Sequence, residues 1–353
     1  MPLCCLSDVI GWDACIRGDR DCKKLRRALE LGKENKTQLK LRTRRLDVAF
    51  VRPTVLGPLL DELDHKVHDR ISLQDELKLC PSYLPHQNKS CILVNLFLQD
   101  VEAICARHMT MRCDQLAVLA PTLCRFNSLS GLDLARNNID LVHAENHQGA
   151  DFLGEMLANL PVLARLNLSN SRLTNHLESV LNKTAGLSSL SVCDCSLSAK
   201  DINFLATSHH VNTLKCLDIG FNDLGENFND FLHLLGALKN QLAVLETPSS
   251  SFEKHHLTLL FQTASKQLHH LRYLDVSGNE TVPHEECIRR ILDMAGLSEL
   301  ASFEVLVVPY PAEVGSAFDS RKQLCEKLAT LLLKRFPNLA VAPYIMSLVI
   351  AFR

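Results

Sequence analysis

The sequence predicts an α/β solenoid of strand–helix repeats, and three observations predict it. A motif of the form L-x-x-L-x-L-x-x-N recurs along the chain, its copies start about 28 residues apart, and apolar residues at helical spacing fill the intervals. The clearest copy starts at Leu129 (LSGLDLARNNI) and keeps Leu129, Leu132, Leu134, Asn137 and Ile139. Others start at Leu163 (LARLNLSNSRL), Leu187 (LSSLSVCDCSL), Leu214 (LKCLDIGFNDL), Leu242 (LAVLETPSSSF), Leu271 (LRYLDVSGNET) and Leu300 (LASFEVLVVPY). The steps between starts are 34, 24, 27, 28, 29 and 29 residues. A degenerate copy begins at Val101, and weaker strands are expected at 77–79 and 46–48, giving seven good repeats and three weak ones.

Each part of the motif has a physical task. The L-x-L alternation puts both leucines on one face of a strand. The asparagine turns the chain, and its amide bonds backbone groups that the turn leaves unpaired. Helices are expected at 201–206 (DINFLA), 229–238 (NDFLHLLGAL) and 257–264, where apolar residues fall three and four apart. A single repeat cannot bury its own apolar face, so repeats must stack. The expected product is a leucine-rich repeat horseshoe of the ribonuclease-inhibitor kind, with parallel strands on the concave face and helices on the convex face. Residues 1–42 read as a basic N-terminal segment or cap, 43–318 as about ten repeats, and 319–353 as a C-terminal helix and capping strand. The helix is expected at 319–336. The apolar run at 345–352 (IMSLVIAF) reads as a last strand packed on the stack, because it would aggregate if left exposed.

Composition excludes several classes. With 46% hydrophobic residues and a net charge of −2, the chain is expected to be folded rather than disordered. No apolar run reaches 18 residues, so no membrane span is expected. The opening MPLCCLSDVIGWD lacks a basic start and carries Asp8 and Asp13, so no secretory leader is expected. The 14 scattered cysteines then read as buried thiols of a reducing compartment, and the expected address is the cytoplasm. Residues 17–45 hold twelve Lys/Arg against four Asp/Glu, a balance of +8, with clusters KKLRR and RTRR. That segment reads as a solvated capping face, or as a signal for the nucleus. No aromatic residue interleaves it, which argues against nucleic acid.

No Gly-rich phosphate loop, H-E-x-x-H or G-x-S-x-G is present, so no enzyme and no cofactor is expected. The His pairs at 209–210, 255–256 and 269–270, with Cys193 and Cys195, raise a zinc reading. They fall in different repeats without a C-x-x-C, and Cys195 takes the place of the repeat asparagine, so a structural role in the turn is expected.

The candidate site comes from reading the repeats as columns. The residue between the two strand leucines faces the concave side. Down the stack it is Cys105, Asp133, Asn167, Ser191, Asp218, Glu246, Asp275 and Glu304. Four consecutive carboxylates on strands ~4.8 Å apart repel one another. Either they face water, as Asp commonly does at this place, or they await a basic partner. Lys215, Phe221, Arg272 and Tyr273 flank the strip as candidate anchors.

Three segments carry a resemblance. The stretch FLATSHHVNTLKCLDIGFNDL at 204–224, the preceding LSVCDCSLSAKDI and the Pro-containing VVPYPAEVGSAFD at 307–319 are similar to the PRAME family, and within it to the leucine-rich repeat-containing protein 14 group. The resemblance runs over roughly residues 45–340. It implies a non-catalytic scaffold that regulates Toll-like receptor and NF-κB signalling through the IκB kinase complex. It also implies a substrate receptor of a cullin-RING ubiquitin ligase, joined through elongins B and C. The family has a helical region ahead of its repeats, where elongin binds, and this chain reaches its first strand early, so either the chain is a shortened form or the ligase role is absent. Pro2, Leu3 and Ser7 fit an elongin box, whereas Gly11 stands where an apolar residue belongs and Ile10 falls one residue early. The alternative function is a ribonuclease-inhibitor-like blocker of a basic protein.

Overall fold

The computed structural model describes residues 101–109, 120, 123–143 and 148–279, together with strand segments at 13–15, 38–41, 45–48, 93–96, 305–309, 339–343 and 347–352. The chain divides into two compact units, Met1–Ala185 and Gly186–Arg353.

In the first unit, parallel strands β1 (Asp13–Cys15), β3 (Arg45–Asp47), β5 (Ala103–Cys105), β6 (Gly131–Asp133) and β7 (Arg165–Asn167) pair in that order. A separate parallel pair joins β2 (Gln38–Leu41) to β4 (Leu93–Leu96). The weak strand expected at 46–48 is β3. The one expected at 77–79 lies outside the described residues. Helices α1 (Gly149–Ala158) and α2 (Leu177–Leu181) pack together. Gly154 permits this, because a Cβ there would collide with the Ser179 carbonyl.

The second unit holds parallel strands β8 (Ser189–Ser191), β9 (Cys216–Asp218), β10 (Val244–Glu246), β11 (Tyr273–Asp275) and β12 (Val305–Pro309). A hairpin of β13 (Leu339–Pro343) and β14 (Ser347–Phe352) ends the sheet, with β14 antiparallel to β12. The strand expected at 345–352 is β14, whereas the helix expected at 319–336 lies outside the described residues. Helices α3 (Ala199–Thr207), α4 (Phe228–Ala237) and α5 (Lys254–Gln267) cover the three sequence-expected helical stretches. Ser198 starts α3 with a capping box, accepting from the Asp201 N–H while Asp201 accepts from the Ser198 N–H at 2.9 Å.

The core is the stack of strand leucines: Leu132 and Leu166 in the first unit, Leu190, Leu217, Leu245 and Leu274 in the second, all buried. Phe228, Phe231 and Phe252 fill the space behind the second set, with ring centroids 5.5–6.1 Å apart. The repeat asparagines close the turns. Asn222, buried, accepts from the Cys195 and Leu197 N–H groups at 3.1 and 3.0 Å and donates to the Val192 and Ile219 carbonyls at 3.0 and 2.8 Å. Asn279 repeats this on Ser250, Phe252, Thr247 and Val276, and Asn137 on Met109, Ala106 and Leu134. Each asparagine thereby ties its own turn to the one before.

The residue ahead of this position is left-handed in every described repeat: His108, Arg136, Asn170, Asp194, Phe221, Ser249 and Gly278 all have φ between 47 and 70°. Such backbone costs a non-glycine residue about 1 kcal/mol, which the shared turn geometry must offset. At Gly278 a side chain would also meet Ser249 Oγ, which would have to move aside.

Candidate partner-binding face

Strands β8–β11 bury their central leucines and leave the residues on either side partly exposed. In-register pairing aligns Ser191, Asp218, Glu246 and Asp275 as one column, and Ser189, Cys216, Val244 and Tyr273 as another. Lys215 and Arg272 stand exposed one residue earlier, and Phe221, 54% exposed, stands in the turn after β9. The second unit thus brings together seven of the residues picked from sequence. Asp133 belongs to the first unit.

Glu304 does not continue the column. The register sets Leu306 beside Leu274 and Val307 beside Asp275, three residues later than the leucine spacing implies, and Glu304 precedes the strand. The β-branched, apolar run VLVV suits a strand better than SFEV, and this preference outweighs the leucine count.

The column residues differ in what they do locally. Asp133, Asn167, Asp218 and Asp275 each accept the backbone N–H two residues on, from Ala135, Ser169, Gly220 and Ser277 at 2.8–3.3 Å. This is an Asx turn that starts the bend out of the strand. Asp133 is also paired with Arg107, whose Nε lies 2.6 Å from Oδ2. Asp218 also accepts the Ser191 hydroxyl at 2.6 Å.

Glu246 has no such task. Two residues on stands Pro248, which has no N–H to give. Glu246 sits between two aspartates with no cation in the column. Burial and the Asp218 and Asp275 carboxylates push it up to about 7. Burial, opposed by the Ser191 and Gly220 bonds, also raises Asp218. Burial with Asp275 and Glu246 pushes the Tyr273 hydroxyl up to about 12. Burial and Glu246 raise the Cys216 thiol, while Lys215 lowers it.

Sequence reasoning missed Arg107, which lies two residues beyond the strand of the preceding repeat, outside the column read for charge. The significance of Pro248 was legible as the E-T-P triplet but was overlooked. His210 is buried, and its Nδ1 accepts the Leu187 N–H at 3.2 Å. Cys195 is buried in its turn, its thiol 3.4 Å from the Cys193 carbonyl. Among the described residues, no three His, Cys, Asp or Glu side chains could hold a metal ion. Cys105, Cys124, Cys193, Cys195 and Cys216 are not joined in disulfides.

No protein-family model matches the chain. Leucine-rich repeat-containing protein 14 of Xenopus laevis is 28% identical over 274 residues, covering 75% of this chain and 52% of its own length. The Mus musculus protein is 30% identical over 264 residues, covering 69% and 50%. The Bos taurus protein is 27% identical over 329 residues, covering 86% and 60%. The chain spans about half the length of the curated relatives it matches. Among solved structures, the yeast Rad7–Elc1 complex aligns with a TM-score of 0.48 at 12% identity, over 87% of this chain and 79% of that one. By its repeats and by these relatives, the chain is a leucine-rich repeat protein that resembles leucine-rich repeat-containing protein 14.

Proposed function

We propose that this chain is a non-catalytic scaffold in the cytoplasm that captures a partner protein on the strand face of its second unit. The observation that carries the reading is Glu246, a partly buried carboxylate between two others, with no turn to cap and with Pro248 where its donor would be. A charge kept at a cost to the fold is accounted for by a cation supplied from outside. By likeness to leucine-rich repeat-containing protein 14 and the PRAME family, the partner is a component of Toll-like receptor and NF-κB signalling, an IκB kinase subunit. A second role follows from the same likeness: substrate receptor of a cullin-RING ubiquitin ligase through elongins B and C.

The test is affinity capture of the tagged full chain from cell lysate, beside the Glu246→Lys variant. Asp218 and Asp275 also cap turns, so Glu246 is the position where charge can be reversed with least damage to the fold. IκB kinase subunits held by the wild type and lost by the variant would support the signalling reading. Elongins and a cullin, held by both, would support the ligase role at a separate surface. Equal capture of every partner by both proteins would remove this face from the function.

The acidic column also favours a second reading, a blocker of a basic enzyme in the manner of ribonuclease inhibitor. That reading requires binding that weakens steeply between low and physiological salt.

A further inference from the structure

We infer that His210 is an acid-sensitive latch. Neutral, it holds the segment leading into β8 against the turn ahead of β9; on taking a proton, it releases that segment. The device stands whether or not the strand face is a binding surface.

One hydrogen bond carries the inference, because the same place in the other repeats is bonded differently. Leu129, Leu163, Leu214, Leu242 and Leu271 are each the buried first leucine of a motif copy. Each gives its N–H to a carbonyl three or four residues back, on Phe126, Leu160, His210, Leu238 and Leu268, at 2.9–3.2 Å. Leu187, equally buried, gives its N–H to the imidazole Nδ1 of His210, 23 residues on, at 3.2 Å. Its motif copy follows the shortest step along the chain, 24 residues from Leu163, and the ring of the next repeat supplies the acceptor. Thr213 completes the clasp, its hydroxyl donating to the Leu187 carbonyl at 2.8 Å. Gly186 lies against the same residue, where a Cβ would come within 3.0 Å of the Thr213 side chain.

The exchange of acceptor changes the response to acid. A backbone carbonyl accepts at any pH a protein survives, whereas Nδ1 accepts only while it carries no proton. The bond therefore fixes the neutral tautomer with its proton on Nε2. A proton added to Nδ1 sets two donors face to face and puts a charge on a ring 1% exposed. The segments around the ring are mostly basic. His209 lies against it, exposed, with ring centroids 4.1 Å apart, and Lys215 stands exposed five residues on. Residues 186–188 carry no charge, and the turn whose Gln241 donates to the Asn212 carbonyl carries Lys239. Helix α3, packed on the His209–Asn212 turn, has Lys200 and Asp201 at its far end, and Asp201 is held by Ser198. β8 starts two residues after Leu187, and its Ser191 hydroxyl donates to Asp218, so the released segment runs directly into the first strand of the acidic face.

The test is residue-level hydrogen exchange on the full chain at about pH 7.5 and about pH 5, on either side of an ordinary imidazole. Corrected for intrinsic rates, protection of the Leu187 amide should fall roughly tenfold or more at the lower pH, as a buried donor loses its acceptor. The Leu242 amide, bonded to a carbonyl, should change by less than about twofold. His210→Asn puts an amide oxygen where Nδ1 stands and cannot titrate, so there Leu187 should keep its protection at both pH values. Equal loss at Leu187 and Leu242, no loss at Leu187, or a loss that persists in His210→Asn would overturn the latch. Should that variant fail to fold, nitrogen NMR of the wild-type ring decides. A proton on Nε2 alone at the higher pH, joined by one on Nδ1 as Leu187 loses protection, supports it. A ring that stays neutral throughout, or one that is protonated while Leu187 remains protected, overturns it.

Discussion

Asp133 in β6 and Glu246 in β10 hold the same place in their repeats, one residue past the buried strand leucine. In the first unit that place is self-sufficient: Asp133 starts its turn by accepting the Ala135 N–H and takes the Arg107 guanidinium at 2.6 Å. At Glu246 in the second unit it is not. Glu246 meets Pro248 on the chain and carboxylates on both neighbouring strands, and its ionisation is pushed toward neutrality. A repeat fold therefore does not dictate the role of a repeat position. The same column is turn chemistry at Asp133, Asp218 and Asp275 and uncompensated charge at Glu246. The residue two places on, together with the reach of an arginine one repeat away, decides which.

The comparison presumes that the turns themselves are equally well built in both regions, and the largest expected effects test that. Replacing Asn222 by Ala orphans the Cys195 and Leu197 N–H groups and the Val192 and Ile219 carbonyls in a buried turn. The expected loss is about 3–4 kcal/mol. Asn137→Ala strips the same kinds of partner from Met109, Ala106 and Leu134, and should cost about as much. Urea unfolding of the two variants checks this. A much smaller loss at one of them would mean that the units differ in their turns, and not only in their charges.

The next effect concerns charge alone. The folded protein raises Glu246 from 4.5 to about 7, so it favours the protonated carboxyl over the unfolded chain's preference. The corresponding stability is fully present below pH 4.5 and is lost as pH rises through 7. Glu246 is partly exposed, and solvent screens the repulsion from its neighbours, so the loss is on the order of 1 kcal/mol. Glu246→Gln should therefore raise the urea midpoint at pH 8 and leave it nearly unchanged at pH 5. Equal midpoints at pH 8 would show that water or salt already relieves the column, and the contrast with Asp133 would lose its force. The same titration means that a basic partner releases a proton on binding near pH 7. Arg107→Ala is the matching change in the first unit. Its ion pair is nearly half exposed on the arginine side, so the expected cost is only about 0.5 kcal/mol.

How far these differences were readable in the sequence varies by element. Six strands from β6 to β11 each start two residues after the first leucine of a motif copy, because burying one L-x-L pair per repeat admits a single register. The reading slips where other forces compete with leucine spacing. At β12 the β-branched VLVV run draws the strand three residues on and takes Glu304 out of the column. The acidic column was legible as a pattern. Its compensation in one region and not in the other was not, since Arg107 reaches Asp133 across 26 residues from a position the motif does not mark.

The smallest effect separates what the asparagine column does from the residues that stand in it. Ser171 occupies the place held by Asn137 and Asn222, is 2% exposed, and has a hydroxyl with no hydrogen-bond partner. An amide at this position serves three to five backbone groups, whereas a serine hydroxyl is too short to span to the preceding turn. Its burial is therefore a cost without a return. Ser171→Ala removes that cost and leaves the volume nearly unchanged. It should stabilise the chain by about 0.5 kcal/mol, opposite in sign to Asn222→Ala at the equivalent position. Thermal unfolding of the two variants side by side reads the signs directly. If Ser171→Ala destabilises by 1 kcal/mol or more, the hydroxyl is satisfied by a buried water. Ser171 would then close its turn through that water, as Asn137 and Asn222 close theirs directly.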